Sequence, residues 1–546
     1  MNTPGQCLAR VGPVLALLWL PLAHGDRTPL PKYGPDQARF HTSDRCLACH
    51  NGLVGPAGED VSFGADWQTS LMANSARDPY WQASVRRETL DHAGARAAVE
   101  EECSACHMPI SHYHAALDGK PSEVLSLLPL RSDRPQTLEA ADGVSCSVCH
   151  QITPERLGTP QSFNGQFVVA GPDGSGAHAE YGPFFIDPGL QRVMRSSTEG
   201  FQPEQGEQIR SAALCASCHT LKTTARNASG EIIGELPEQM PYQEWLHSDY
   251  RDRQTCQSCH MPAYEHDEPI TRVLGSPRPG VARHDFVAAN FFLQRMFARY
   301  HDDIDLPPAA AELSSAAERT VRYLQSRAAR LSIDTPVVRG TRLEAVVQVE
   351  NLGGHKLPTA YPSRRAWLHL RVSDCGGQQL FESGALNPDG SIQGNVNDAD
   401  PLRFEPHYRE IHSADQVQIY ESILGDAQGA VTTGLLSAVG YLKDNRLLPH
   451  GFDKQTAPAD IAVQGSARDD PSFDAHGDRV RYLVEIGSAC RPLQVSVELW
   501  YQPVGYRWAH NLTAYDAPEP RRFTTWFEAM APASALQLAA ASAATH

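Results

Sequence analysis

The sequence lacks long hydrophobic runs after its first 25 residues, and it lacks clusters of lysine and arginine. Its 546 residues include 47 Lys and Arg against 64 Asp and Glu, a net charge of −17. With no basic cluster to offset this charge, the chain is not expected to bind nucleic acid. No later segment approaches the roughly 20 apolar residues that cross a bilayer, so no transmembrane segment is expected in the mature chain. No grouping of serine, cysteine or carboxylate residues suited to hydrolysis stands out either.

The amino terminus has the pattern of a secretory signal peptide. Arg10 precedes an apolar run over residues 11–23, and small residues follow up to Gly25. We expect residues 1–25 to be removed on export and the mature protein to lie in the periplasm or at the cell surface. A retained membrane anchor is the alternative, but Pro13 and Pro21 interrupt a run that is already short.

Ten of the 13 cysteines form one repeated pattern, in which two cysteines stand three positions apart and a histidine follows at once. We number these motifs 1 to 5 in chain order: Cys46-Cys49-His50, Cys103-Cys106-His107, Cys146-Cys149-His150, Cys215-Cys218-His219 and Cys256-Cys259-His260. The pattern is typical of covalent c-type haem attachment, with both thiols bonded to the haem and the histidine on its iron.

Structural zinc or dithiol chemistry is the competing interpretation, but it requires no fixed residue after the second cysteine. With 23 histidines in the chain, finding one there five times by chance has odds of about one in ten million. The sequence therefore predicts five covalently attached haems c.

Three cysteines remain outside the motifs. Cys7 lies in the signal peptide, whereas Cys375 and Cys490 lie far downstream of the motifs. In an oxidising compartment these two could form a disulfide, but the sequence does not give the distance between them, so a disulfide and two free thiols both stay open.

Periodicity divides the chain into an α+β arrangement of two domains. Residues 26–306 have too few periodic apolar runs for an ordinary core, so a mainly α and irregular pentahaem domain is expected, with the haems as its core. A connecting helix is predicted over 307–331. Residues 332–530 alternate with period two and favour a β-sandwich. The Ala-rich residues 531–546 are expected to form a frayed tail.

A haem iron has a second axial position, and the residue there decides the chemistry. Histidine or methionine fills it and leaves an electron-transfer centre, whereas an open position can bind a substrate. Within or close to the motif region the candidate distal ligands are Met72, His112, His114, His178 and His284. The alternatives are a hydrogen-bonded surface histidine and, for Met72, packing against a porphyrin face.

His355 is a further candidate because it follows Gly353 and Gly354 in the β region and precedes Pro358. The glycines allow close backbone approach to a bulky partner, and the proline stiffens the turn. We hypothesise that this loop crosses the domain boundary and ligates or caps one haem. A hairpin turn with an exposed histidine is the alternative.

The first half resembles the multihaem cytochrome c superfamily that includes hydroxylamine oxidoreductase-like and related electron-transfer cytochromes. The resemblance rests on the five motifs, on the Cys-His-Met-Pro at 106–109 and 259–262, and on residues 142–151, and it covers roughly 40–305. It implies closely stacked haems, mostly with two histidine ligands, in a protein outside the cytoplasm. The chain departs from pentahaem nitrite reductases, which carry a lysine in one motif, and from hydroxylamine-oxidising relatives, which usually have more haems.

Three functions follow from these patterns. The first is electron transfer between redox partner proteins, where the acidic charge favours a partner with a basic docking face. The second is a multihaem oxidoreductase in which one open haem acts on a small nitrogen or sulfur compound. In the third, the β domain is an interaction module that docks the cytochrome to a surface, to a partner or to another copy of itself.

We expect His355→Ala to change the spin state or the potential of one haem, because one axial position would lose its ligand. Electron paramagnetic resonance and redox titration of the purified protein measure both quantities. Unchanged spectra would remove His355 from the set of ligands.

Overall fold

The computed structural model describes residue 1 and residues 40–545, apart from 57, 135–136 and 199. The predicted signal peptide thus lies, but for Met1, outside the described residues. Among the residues described, no helix is both long and apolar enough to cross a membrane.

The region of the five motifs consists of short helices joined by loops. The helices up to residue 327 are α1 Asp44–His50, α2 Phe63–Trp67, α3 Pro79–Asp91, α4 Arg96–His107, α5 Pro109–Leu117, α6 Leu138–Ala141, α7 Cys146–His150, α8 Pro188–Ser197, α9 Ala212–Ala216, α10 Pro241–Leu246, α11 Cys256–His260, α12 Phe291–Arg299, α13 His301–Ile304 and α14 Ala310–Arg327. Two strand pairs interrupt them: parallel β1 His178–Gly182 with β2 Phe201–Gln205, and antiparallel β3 Leu221–Arg226 with β4 Ile232–Gln239.

The second half is rich in strands. These are β5 Ala329–Ile333, β6 Val337–Arg339, β7 Arg342–Asn351, β8 Arg365–Ser373, β9 Gln379–Ser383, β10 Glu410–Ile411, β11 Ile419–Asp426, β12 Val431–Thr432, β13 Ala438–Asp444, β14 Asp478–Glu485, β15 Gln494–Gln502 and β16 Leu536–Ala544. Helices α15 Val396–Ala399, α16 Tyr506–His510 and α17 Pro518–Met530 connect some of them.

The strands form two sheets that share one core. One sheet has the order β10-β14-β7-β5, with β6 also paired to β7; the other has the order β12-β11-β8-β15-β16, with β13 on β11 and β9 on β8. Alternate residues such as Val347, Leu368 and Val497 are fully buried in the common apolar cluster between them. The expected fold class, a helical and irregular half followed by a β-sandwich-like half, is confirmed.

The boundaries differ from the expected ones in two places. The connecting helix ends at Arg327, and residues 329–333 already form β5 of the first sheet. The alanine-rich end is not a frayed tail, because residues 536–544 form β16, which pairs with β15 along its length. Alanine's weak strand preference is overridden here by backbone pairing and by the burial of Leu536 and Leu538.

The chain also returns from the β half to the helical half. Helix α17 packs on α3, where Glu519 forms a bidentate ion pair with Arg86 and the rings of Phe523 and Tyr80 lie 5.0 Å apart. The largest apolar cluster accordingly contains residues from both halves. In the loops after β8 and before β15, at one end of these paired strands, Cys375 and Cys490 form a disulfide with their Cα atoms 5.4 Å apart, which decides the pairing that the sequence left open.

We expect Leu538→Ala to lower the free energy of unfolding by about 2–4 kcal/mol, because this 4% exposed side chain would leave a cavity. Urea titration followed by circular dichroism measures the change. Ala540→Ser, exposed on the same strand, is the matched control and should have little effect. Equal midpoints for the two variants would mean that β16 contributes nothing to the fold.

Candidate metal centres at the five motifs

The five motifs lie at or near the ends of short helices. Helices α1, α4, α7 and α11 each end on the histidine of their motif, whereas motif 4 begins in α9 and continues into the turn after it. All ten thiols are half-buried, and none is in a disulfide. Each motif therefore presents two free thiols and an imidazole within five residues, as attachment of a single group requires.

Thiols of different motifs lie side by side. Interaction with the thiol of Cys46 raises the pKa of Cys146, and interaction with the thiol of Cys106 raises the pKa of Cys218, with burial adding to both shifts. The thiol of Cys256 acts in the same way on Cys215. Motif 1 thus borders motif 3, and motif 4 borders both motif 2 and motif 5.

A further contact connects these groups. The charge of Cys218 adds to burial in raising the pKa of Cys149, to about 12, so motif 3 also lies next to motif 4. Among the described residues, motif 1 therefore borders motif 3, and motif 3 borders motif 4. Motifs 2 and 5 also border motif 4, which is the junction of the five motifs.

Four of the motif imidazoles have their orientation fixed by the backbone. The Nδ1 atoms of His50, His107, His150 and His260 lie 2.5, 3.0, 2.6 and 2.6 Å from the carbonyl oxygens of Ile270, Ser75, Tyr181 and Val287 respectively. A carbonyl can only accept, so Nδ1 carries the proton and the lone pair of Nε2 is free for a metal. Burial lowers the pKa of all four rings, to about 4 for His107 and His260. The rings are therefore neutral at pH 7, as ligation requires.

Two candidate distal histidines lie opposite motif histidines. The ring centres of His260 and His355 are 6.1 Å apart with planes 8° from parallel, and those of His150 and His284 are 6.4 Å apart at 11°. A metal–imidazole bond is about 2.0 Å, so two in line separate the nitrogens by about 4 Å and the ring centres by about 6 Å. Both pairs have the spacing for one iron between them.

The distal members of these pairs are held in the same way as the motif histidines. The Nδ1 atom of His355 lies 3.0 Å from the carbonyl oxygen of Lys356, and that of His284 lies 3.1 Å from the carbonyl oxygen of Ala282. Nε2 is thus the free nitrogen on both sides of each gap. The donor set and spacing fit a six-coordinate haem iron at motifs 3 and 5.

A buried network of four charges holds the His355 loop in place. The Nζ of Lys356 lies 2.7 Å from Asp444, and Arg446 lies 2.7 Å from Asp444 and 3.0 Å from Glu244. Glu244 belongs to α10 of the helical half and also accepts from the backbone N–H of Lys356. Burial alone would raise the pKa of Asp444, but the charges of Arg446 and Lys356 lower it well below its usual range. The network connects the two halves directly behind His355.

Glycine allows a close approach where this loop meets the helical half. A Cβ atom on Gly354 would lie 3.2 Å from the side chain of Tyr250, whose hydroxyl donates to the carbonyl of Leu352. The close approach expected from the paired glycines is therefore an approach to Tyr250, beside motif 5.

The other candidate ligands occupy distinct environments. The Nδ1 of His114 lies 2.9 Å from Glu139, and its Nε2 is buried without a hydrogen-bond partner. The Nδ1 of His112 lies 3.0 and 2.9 Å from the hydroxyls of Ser104 and Ser122. His178 begins β1, three residues before the Tyr181 carbonyl that orients His150. Met72 lies in a loop, and its backbone carbonyl accepts from the N–H of Val144, a residue just before motif 3. Of this set, His114 has the free, buried nitrogen that a ligand needs.

Two features near the motifs were not expected from the sequence. The indole of Trp81 stacks on the ring of His107, with ring centres 4.4 Å apart and planes 6° from parallel. The guanidinium of Arg364 lies close enough to His219 to add to burial in lowering its pKa. Trp81 and Arg364 lie far from these motifs in the sequence, so only the fold could reveal either contact.

One group in the β half also has metal-ligating side chains within reach of each other, His407, Asp470 and Asp478. The Oε1 atom of Gln418 accepts from the N–H of Tyr408, so its Nε2 must donate, to Asp478 and to Nδ1 of His407. The proton of His407 is then on Nε2, which faces Asp470 at 3.2 Å. A metal would need that lone pair, so this group is a hydrogen-bond network and not a metal site.

Comparison with solved structures shows one protein with a fold similar to that of this chain. No protein-family model and no curated protein matches its sequence. Its fold is similar to a solved structure, a penta-heme cytochrome c552 from Thermochromatium tepidum, with a TM-score of 0.51 over 92% of this chain and 98% of that one, at 15% identity. The chain has a multihaem cytochrome fold. Since 92% of the residues align, the likeness extends into the β-sandwich, which is part of the shared fold and not an addition to it.

We expect Lys356→Met to lower the free energy of unfolding by about 3 kcal/mol, because Asp444 and Glu244 would keep only one buried cation between them. Chemical denaturation of the full chain measures this loss. Lys120→Met removes an exposed lysine and is the control, for which we expect no change. Equal stabilities of the two variants would contradict a role for the network.

Proposed function

We propose that the protein is an exported pentahaem c-type cytochrome that transfers electrons between redox partner proteins. The observation that carries this proposal is the contact between thiols of different motifs, at Cys46 with Cys146, Cys106 with Cys218, and Cys215 with Cys256. Groups attached at neighbouring thiols are close enough to exchange electrons. A set of isolated catalytic haems would not require such contacts.

The ten motif cysteines are the proposed attachment points, and His50, His107, His150, His219 and His260 the proposed proximal ligands. Haem c, when attached, supplies a reversible one-electron couple at its iron. The chain contributes the orientation of four of these imidazoles, those of His50, His107, His150 and His260, through the carbonyls that bond Nδ1.

For the distal positions we propose His284 at motif 3 and His355 at motif 5, because each ring lies opposite a motif histidine at the spacing for one iron. His114 is the next candidate, since its buried Nε2 is free and a carboxylate orients its Nδ1. Met72, His112 and His178 remain candidates for the other positions. Filled positions favour electron transfer over the binding of a small substrate.

The neighbour series of the motifs supports a branched electron path. Motif 1 is reached only through motif 3 among the described contacts, whereas motif 4 borders motifs 2, 3 and 5. We infer that electrons pass through the motif 4 haem between three arms, which consist of motifs 3 and 1, motif 2, and motif 5.

A periplasmic or cell-surface location agrees with the Cys375–Cys490 disulfide, which persists in oxidising compartments.

The second candidate function is an oxidoreductase with one open haem. It is favoured by the position of Arg364, a cation close to His219 that could bind a small anionic nitrogen or sulfur compound. The alternative partner for this arginine is a haem propionate.

Electron paramagnetic resonance of the oxidised protein separates the two functions. If all five haems have two axial ligands, as the first function requires, we expect five low-spin haems and no carbon monoxide binding to the reduced form. A high-spin signal together with carbon monoxide binding would favour the second function.

We expect His284→Ala to turn one low-spin haem into a high-spin haem that binds carbon monoxide, with the haem content still five per chain. The reason is the loss of the imidazole opposite His150. His412→Ala, which removes a half-exposed histidine paired with Glu410, is the control and should leave the spectrum unchanged. If both variants keep five low-spin haems, His284 is not a ligand.

A further inference from the structure

The neighbourhood of motif 1 exposes apolar side chains close to its cysteines. The N–H of Arg272 donates to the carbonyl of Cys49, and the carbonyl of Ile270 bonds the ring of His50. Two residues further on, the side chain of Leu274 is 75% exposed. The segment 270–274 therefore connects motif 1 directly with the protein surface.

The backbone at Leu274 is also strained. Its φ is +54°, a left-handed conformation that leucine seldom adopts. The following Gly275 packs so tightly on Thr271 that a Cβ atom would collide with the Thr271 carbonyl. The turn is therefore strained and still exposes its leucine to solvent. We infer that the Leu274 side chain contacts another molecule.

A second exposed apolar residue is connected to the same segment of chain through Arg278. Phe185 is 74% exposed, and its carbonyl accepts from the guanidinium of Arg278, 2.9 Å away. The guanidinium groups of Arg278 and Arg210 both lie over the neighbouring Phe184 ring, 5.5 and 5.7 Å from its centre. We call Phe185, Leu274, Arg210, Arg272 and Arg278 the motif 1 patch.

The charge of the patch is opposite to that of the protein. Residues 269–284 contain three arginines and no acidic residue, in a chain of net charge −17, whereas Glu265, Asp267 and the buried Glu268 directly precede them. Arg283 pairs with Asp66, but none of Arg210, Arg272 and Arg278 forms an ion pair with a described acidic side chain. Three unpaired arginines around two exposed apolar residues form an apolar centre with a basic rim, the usual anatomy of a transient docking site.

We propose that the motif 1 patch docks an acidic electron-transfer protein, which exchanges electrons with the haem at motif 1. This proposal rests on the proposed electron-transfer function and names one partner surface for it. It differs from the expectation drawn from overall charge, a partner with a basic face, because charges within about 10 Å of the contact dominate docking at physiological salt.

The test uses the full-length protein with its haems. Stopped-flow absorbance follows its reduction by a reduced flavodoxin, a small acidic one-electron donor, over a series of ionic strengths. The variants are Leu274→Glu and the double variant Arg272→Gln/Arg278→Gln. The matched controls are Leu402→Glu and Arg468→Gln, at an exposed leucine and an exposed arginine of the β half. Photoreduced deazaflavin, a small neutral donor, measures electron uptake without docking.

We expect both patch variants to slow reduction by flavodoxin about tenfold at low ionic strength, with the difference of the arginine variant vanishing at high salt, and both controls to match the wild type. All proteins should accept electrons from deazaflavin at one rate. Equal flavodoxin rates in patch variants and controls would overturn the proposal. So would a shifted haem potential in the arginine variant, because Arg272 and Arg278 would then serve haem propionates.

Two further outcomes complete the test. If deazaflavin reduces fewer than five haems in the wild type, the proposed electron-transfer function fails and the docking proposal with it. If sedimentation shows a dimer that Leu274→Glu dissociates, the patch binds a second copy of this acidic chain, and the proposal of a separate redox protein is wrong.

Discussion

The arrangement of the imidazoles is the constraint on which the rest of this structure depends. A histidine ligates a metal as a neutral imidazole, and it does so through Nε2 when Nδ1 carries the proton and Nε2 points at the metal. At motifs 1, 2, 3 and 5 a backbone carbonyl satisfies the second condition, and burial satisfies the first. The carbonyls come from loops as far away as Ile270, which explains why so much irregular chain is wrapped around short helices.

The loop that carries His355 shows how the two halves depend on each other. Its ring lies opposite His260 of the helical half, while the next residue, Lys356, is completely buried among Asp444, Arg446 and Glu244. Four buried charges are costly to desolvate, and they are balanced only when both halves are in contact. The β-sandwich therefore acts as a scaffold that presents a histidine to motif 5, in addition to any role in binding.

In a branched series of neighbouring motifs, the protein surface near each terminal motif can have its own chemical character. Motif 1 is the end of one arm, and the residues that cover it combine strained exposure at Leu274 with unpaired arginines. An acidic protein can thus carry a basic patch, and the proposed docking of an acidic partner depends on this local charge, while net charge acts on solubility and long-range encounter.

The sequence alone determined the five motifs, because covalent attachment needs two thiols and an imidazole at fixed short spacing, and it determined the change to period-two strands near residue 330. It also indicated His284 and His355 as candidate ligands, through their residue type and the glycines before His355. Only the tertiary structure decided which histidine lies opposite which motif, that Cys375 meets Cys490, and that the alanine-rich residues 536–544 form a strand. These are contacts between residues far apart in the chain. They depend on the packing of the two halves, which local propensity and spacing do not encode.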